Sequence, residues 1–246
     1  MANEILIAIP VYNEGLYVRG VLDEVCGWGC DVLVVDDGSF DRTLEILKLF
    51  GDVGVIRHKE NLGYGKSIID AFEYAGKAGY KWVITMDCDR QHEPALLGVF
   101  IDKTERDSYD IVSGSRYLDM EDKGTIEPPL ERVAINRKVT ALLNERLGLG
   151  ISDAFCGFKA YRVEAMGRLI LSEWGYGLSL QLWVQAAAAG LRVCEAAVPL
   201  IYHDASRSFG GVLENHDLRL KYYLEIIERE LAESGFESNG KIARRW

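Results

Sequence analysis

Two carboxylates one residue apart, Asp87 and Asp89, directly follow the apolar run at residues 80–86. Ionised groups at the end of a buried strand must stay hydrated, pair with a cation or hold a metal, because lone charge is costly to bury. Oxygen ligands at this spacing suit Mg2+ or Mn2+, with a diphosphate completing the coordination. Asp-x-Asp alone is equally what two surface acids look like, so its meaning depends on its company. Pro10-Val11-Tyr12-Asn13-Glu14 ends a first apolar run in the same manner, and Asp36-Asp37-Gly38-Ser39 ends a second. Gly63, Gly65 and Lys66 precede a helical segment, where bare backbone N–H groups and a cation can face a phosphate.

The elements that would position these groups follow from periodicity. Residues 5–10, 31–36, 53–56 and 81–86 are short strand-like runs. Between them, residues 15–26, 43–50 and 65–75 carry apolar side chains at helical recurrence, as in Leu16, Val18, Val21, Leu22 and Val25. Strands alternating with helices predict a parallel, doubly wound α/β sheet as far as residue 117. Its strands would share one carboxyl edge, where open α/β sheets bind ligands. Three of the first four strands end in polar or acidic residues, whereas chance would scatter them over both edges. Beyond lie a strand at 110–113, a polar loop at 118–129 and a helix at 132–147 striped by Val133, Ile135, Val139, Leu142, Leu143 and Leu147. A strand at 158–161, helices at 163–171 and 178–189, and a strand at 193–202 follow, Pro199 suiting an edge or bulge. A helix at 213–233 and a flexible tail at 234–246 complete a single expected domain spanning 1–246.

Together with Asp41, Thr43, Asn61-Leu62-Gly63-Tyr64-Gly65 and Asp87-Cys88-Asp89-Arg90-Gln91-His92, these motifs resemble, in order, those of family 2 glycosyltransferases, which have the GT-A fold. Gly114-Ser115-Arg116-Tyr117, Arg132 with Asn136-Arg137, and the run from Asp153 to Arg162 are similar to the dolichol- and polyprenyl-phosphate mannosyl- or glucosyltransferases. The likeness covers residues 4–204. It implies a half at 1–117 that binds a GDP- or UDP-sugar and a less regular acceptor half at 118–233. Pro10, Tyr12 and Glu14, with Asp36 and Asp37 beside them, would contact the base and ribose. Asp87, Asp89 and Gln91 would hold Mg2+ or Mn2+, and Arg116, Arg132 and Arg137 would hold the acceptor phosphate and donor diphosphate. The bland alternatives are a packed aromatic at Tyr12, a helix-terminal acid at Glu14 and a solvated helix face at Arg132 and Arg137.

The chain departs from that subfamily in two places. Leu178-Ser179-Leu180-Gln181 stands where an acid is usual, and residues 202–211 replace a basic loop. There Arg207 would supply the displaced charge and His203 a further metal or phosphate ligand. A lipid phosphate acceptor is already largely ionised near neutral pH, with a second pKa of about 6, and attacks unaided. A hydroxyl acceptor needs a base, for which Asp153 is the candidate and Asp204 the reserve.

Composition narrows the choice. The 246 residues are 48% hydrophobic and 27% charged, with a formal charge of −10, which disfavours a nucleic-acid surface. Any phosphate must therefore be met by local cations, a metal or helix ends. Five cysteines at 26, 30, 88, 156 and 194 form no zinc pattern and fit free thiols in a reducing compartment. Without a basic leader or a stretch of about 18 apolar residues, a cytoplasmic protein is expected. A lipid acceptor would add peripheral contact at the inner face of the membrane, through an apolar helix edge or the basic, Trp-bearing end of the tail. The alternatives are a soluble glycosyltransferase acting on a hydroxyl of a cell-envelope glycan precursor and a nucleotidyltransferase. The latter usually has a Gly- and basic-rich loop where this chain has Val11-Tyr12-Asn13-Glu14, whose one charge is acidic. A non-catalytic nucleotide-sugar module fits poorly with intact Asp87, Asp89 and Gln91.

Overall fold

The computed structural model describes residues 4–106, 108–118, 130–201 and 211–235. Its strands are β1 (Ile5–Val11), β2 (Asp31–Asp36), β3 (Gly54–Arg57), β4 (Trp82–Thr85), β5 (Ile111–Ser115), β6 (Lys159–Arg162) and β7 (Val193–Ala197). They form one sheet in the order β3-β2-β1-β4-β6-β5-β7. All pairings are parallel except those of β6, which runs antiparallel to both β4 and β5. Strands from both halves of the chain therefore share a single sheet.

Side chains alternate across that sheet. Ile7, Ile9, Val32, Val34 and Ile84 face α1 (Val18–Val25) and α4 (Leu97–Glu105), while Leu6, Ala8, Leu33, Val35 and Val83 face α3 (Tyr64–Ala78). Burial on both faces explains why these strands are continuous apolar runs rather than alternating ones. A second core, centred on Trp183, joins α5 (Leu130–Leu147), α7 (Leu178–Ala188) and α8 (His216–Ser234) to Ile111 and Tyr161 of the sheet.

Several boundaries shift. The first helix begins at Val18, not at residue 15, because the Glu14 carbonyl accepts from the N–H groups of Tyr17 and Val18 in a preceding turn. The second, α2, is only Thr43–Leu47. The helix expected at 163–171 shrinks to α6 (Val163–Met166). The last strand stops at Ala197 instead of 202; Val198 still donates to Ser115, but Pro199 has no N–H with which to continue. α8 starts at His216, capped by Asn215, whose side chain accepts from Asp217 and Leu218. Among the described residues, no helix is long and apolar enough to cross a membrane. Most of the polar loop (119–129), the end of the last expected strand, and the tail from residue 236 lie outside the described residues.

Candidate active site

β1 has β2 on one side and β4 on the other, so the chain order reverses between β1 and β4. Such a switch point opens a crevice beyond the strand carboxyl ends. A cleft of about 760 Å3 lies there. Pro10, Tyr12 and Glu14 enter it from the end of β1, Asp37 from β2, and Asp87, Asp89 and Gln91 from β4. Arg116 follows β5, and Arg132 reaches in from α5. Tyr12, Asp37 and Asp89 thus share one pocket although 77 positions separate the first from the last.

Both loops that flank the switch point contain a non-glycine residue in the left-handed region, Asn13 (φ 56°) and Arg90 (φ 60°). That conformation costs on the order of 1 kcal/mol and persists where surrounding contacts enforce it, commonly at functional sites. At Asn13 the enforcement is visible: its N–H donates to Ser39 Oγ (2.8 Å) and its Oδ1 accepts from Phe40 N–H (3.0 Å), stapling the loop after β1 to the loop after β2.

The Asp87–Gln91 loop is held from below. His92 is buried and its Nδ1 accepts from Asp87 N–H at 2.9 Å. Burial pushes its pKa down to about 4, so the ring is neutral and its proton sits on Nε2, facing Cys156 Sγ at 3.9 Å. Asp89 Oδ1 accepts from Gln91 N–H at 3.0 Å. Asp87 packs beside the Tyr64 phenol, whose pKa is raised well above its ordinary value by burial and then by the Asp87 charge. Gly157 makes this possible: a Cβ there would lie 2.7 Å from Asp87 Oδ2 and 2.8 Å from Tyr64 Oη.

Two carboxylates and an amide side chain form an incomplete oxygen set. Among the described residues, no group of three or more His, Cys, Asp or Glu could hold a cation alone. Mg2+ and Mn2+ tolerate this, since they commonly take one or two carboxylates and complete their shell with water and substrate phosphates. Asp87, Asp89 and Gln91 therefore fit such a cation; His203, expected as a fourth ligand, lies outside the described residues, as do Asp204 and Arg207.

Five expected site residues are placed otherwise. Asp36 is fully buried and does not line the cleft; it accepts from Ser39 N–H and pairs with Arg57 at 3.3 Å. Gly65 packs against the backbone of Glu173 and Gly175, where a Cβ would come within 2.3 Å of a carbonyl. Lys66 donates its backbone N–H to Trp174 O (3.1 Å) and pairs through Nζ with Asp70. Gly65 and the Lys66 N–H are thus turned to the 173–175 segment, while Gly63, Tyr64 and Ser67 at the start of α3 line the cleft. Arg137 is exposed and outside the cleft, because Arg132, Ile135 and Asn136 share the inward face of α5 and residue 137 is one step round. Asp153 is no candidate base. It is completely buried, bonded by Arg116 Nε (2.6 Å) and Nη2 (3.0 Å), Asn136 Nδ2 (2.8 Å) and Phe155 N–H (3.0 Å). Burial would raise its pKa, but Arg116, Asn136 and the Phe155 N–H outweigh that and hold it well below the usual carboxylate range. Two of its bonds fix the Arg116 guanidinium in place.

Asp37 does line the cleft, yet its oxygens are engaged by His58 Nδ1 (2.6 Å) and by the Leu62 and Gly63 N–H groups (2.8 and 2.9 Å). It shapes the wall rather than offering a free carboxylate. The unusual Gln181 is similarly structural: its Oε1 accepts from Ser172 and Glu173 N–H, and its Nε2 donates to Glu230 at 2.8 Å. Lining residues with no assigned role in the sequence reading include Tyr64, Asn136, Lys159, Arg219 and Tyr223. Of these, Tyr64, Asn136 and Lys159 lie within the motifs quoted from the sequence, and Arg219 and Tyr223 lie in none.

Residues 6–170 match the family model described as Glycosyl transferase family 2. The chain belongs to that family. A polyprenol monophosphomannose synthase of Mycolicibacterium smegmatis is 30% identical over 205 residues, covering 78% of this chain and 76% of that protein. An uncharacterized protein of Methanocaldococcus jannaschii is 29% identical over 229 residues, covering 92% and 93%. Glucosyl-3-phosphoglycerate synthase from Mycobacterium tuberculosis, solved with Mn2+, UDP and glucosyl-3-phosphoglycerate, superimposes with a TM-score of 0.70 over 97% of this chain and 82% of that one, at 17% identity. The seven-stranded sheet of this family 2 glycosyltransferase is accordingly a GT-A fold. The matched region stops at residue 170, ahead of α7, β7 and α8.

Proposed function

We propose that the protein moves a sugar from a nucleoside diphosphate sugar to the phosphate of a polyprenyl phosphate, in a metal-dependent reaction that inverts the anomeric carbon. The observation that carries this reading is the meeting, in one cleft, of the β1 and β4 loops with the cations Arg116 and Arg132. Relatives support it: one is named a polyprenol monophosphomannose synthase, and a fold neighbour was solved with UDP and either Mn2+ or Mg2+.

In this mechanism Pro10 and Tyr12 contact the base, and Glu14 accepts from ribose hydroxyls. Asp87, Asp89 and Gln91 would hold Mg2+ or Mn2+, which when bound would supply positive charge to stabilise the departing diphosphate. Arg116, fixed by Asp153, and Arg132 add preorganised positive charge in a partly desolvated cleft. A phosphate oxygen of the acceptor attacks the anomeric carbon from the face opposite the diphosphate, forming one C–O bond as the other breaks. No base is required, which agrees with the engagement of Asp153. A hydroxyl acceptor would need one. A lipid acceptor brings the protein to a membrane surface.

The test incubates purified protein with radiolabelled GDP-mannose or UDP-glucose, Mn2+ and farnesyl phosphate. Solvent-extractable, acid-labile product is expected; its absence with every donor, in a protein that still binds nucleotide, rejects the lipid acceptor. Gly157→Ala probes the metal loop: by displacing Asp87 it should weaken Mn2+-dependent nucleotide binding about 10- to 100-fold. Unchanged Mn2+ titration curves would remove Gly157 from the site.

A further inference from the structure

The cleft collects charge of both signs. Glu14, Asp37, Asp87 and Asp89 reach it from the ends of β1, β2 and β4 and Arg116 and Lys159 from β5 and β6, whereas Arg132 and Arg219 come from the helices α5 and α8. Arg219 is only 5% exposed although it belongs to a helix that is otherwise polar on its outer side. Its Nη1 donates to Leu213 O at 2.9 Å, which fixes the direction of the guanidinium. Tyr223, one turn on, is buried against Phe155, with ring centroids 4.9 Å apart. Arg132 from α5 and Arg219 and Tyr223 from α8 all line this one cleft.

This wall is held rigidly. Tyr222 donates to Glu173 at 2.7 Å, Arg229 pairs with Glu173 at 3.2 Å, and Gln181 donates to Glu230 at 2.8 Å. A guanidinium is costly to bury, and a phenol and two guanidiniums converging on a cavity form a donor-rich recess suited to a dianion. In a chain of net charge −10, a phosphate is drawn inward by such a local recess and by nothing global.

We infer that the first two turns of α8 recognise the acceptor: Arg219 and Tyr223, opposite Arg132, hold the phosphomonoester of the molecule that receives the sugar. This rests on the glycosyltransfer reading and specifies the acceptor chemistry within it. The phosphomonoester has two possible sources, a lipid phosphate and a soluble phosphate ester, and the test separates them.

Isothermal titration of the full chain with farnesyl phosphate, farnesol and 3-phosphoglycerate supplies the test. Wild type is expected to bind farnesyl phosphate at least about tenfold tighter than farnesol. Arg219→Gln should weaken farnesyl phosphate by at least about tenfold, Arg219→Lys should recover most of that, and Tyr223→Phe should lose a few-fold. All three should keep the thermal shift given by UDP or GDP with Mn2+. Binding of 3-phosphoglycerate instead, weakened in the same order, upholds the recess and makes the source soluble. Two results overturn the inference: variants that bind phosphomonoesters as wild type does, or a wild type that binds none while nucleotide still shifts its melting. Should no nucleoside diphosphate shift the wild type, the glycosyltransfer reading fails, a separate outcome. If Arg219→Gln does not fold, Arg219→Lys and Tyr223→Phe decide by the same criteria.

Discussion

Asp89→Ala is expected to lower sugar transfer by at least about 10²–10³-fold, the range typical for losing one preorganised electrostatic group. The side chain is half-buried at the cleft wall, outside the hydrophobic cores, and its Oδ1 accepts from the N–H of Gln91 two residues on. Its removal therefore leaves both cores intact, and melting in the absence of ligand should change by no more than a surface substitution allows, roughly 0.5 kcal/mol in stability. The difference appears only with ligand: wild type gains stability from nucleotide and Mn2+ together by mass action, and the variant does not. Wild-type turnover by Asp89→Ala at saturating Mn2+ would refute the assignment of this residue.

Asp153→Asn is expected to have the largest effect on the fold. The variant keeps the shape but leaves the Arg116 guanidinium, 18% exposed in its side chain, without its counter-charge. Breaking one member of a buried pair costs about 3–5 kcal/mol. For a chain of this size that is a fall of roughly 6–20 °C in Tm. The pH dependence has a definite sign. A carboxylate whose folded pKa is depressed contributes stability above its unfolded pKa of about 3.9, and loses it only as pH falls below that value toward the folded pKa. The deficit of Asp153→Asn relative to wild type should thus be flat from pH 5 to pH 9 and shrink only in acid. Removing both partners should cost less than the sum of the single changes, while transfer stays lost in every variant. A double variant as unstable as that sum would mean the pair is not coupled.

The N-terminal half of the fold was legible because burial on two faces writes strands as apolar runs, and the loops after β1, β2 and β4 each end in groups that only a ligand edge would collect. Position within a loop was less legible. Asp36 and Asp37 are adjacent acids, yet the strand's alternation turns the first inward to Arg57 and the second to the cleft wall. Gly65 and Lys66 looked like a phosphate cradle because nothing local announces that residues 173–175 close over them. Arg137 and Asn136 differ by one helical step, and the stripe of α5 was too mixed to say which faced in. Arg219 and Tyr223 could not be found at all: they sit in an ordinary charged helix and gain meaning only from what α5 and the 173–177 segment place opposite them.

The insertion of β6 between β4 and β5 has a consequence for how the chain is made. Thr85 and Lys159, which meet across this join, are 74 residues apart. At ribosomal speeds of about 5–20 residues per second, the newly made β4 waits several seconds with an unpaired flank before its antiparallel neighbour emerges. An apolar strand left open for that long is a template for pairing with the wrong chain. A nascent molecule is therefore open to mispairing until β6 emerges, and a synonymous change that slows translation across residues 86–158 should lower soluble yield without altering a single amino acid.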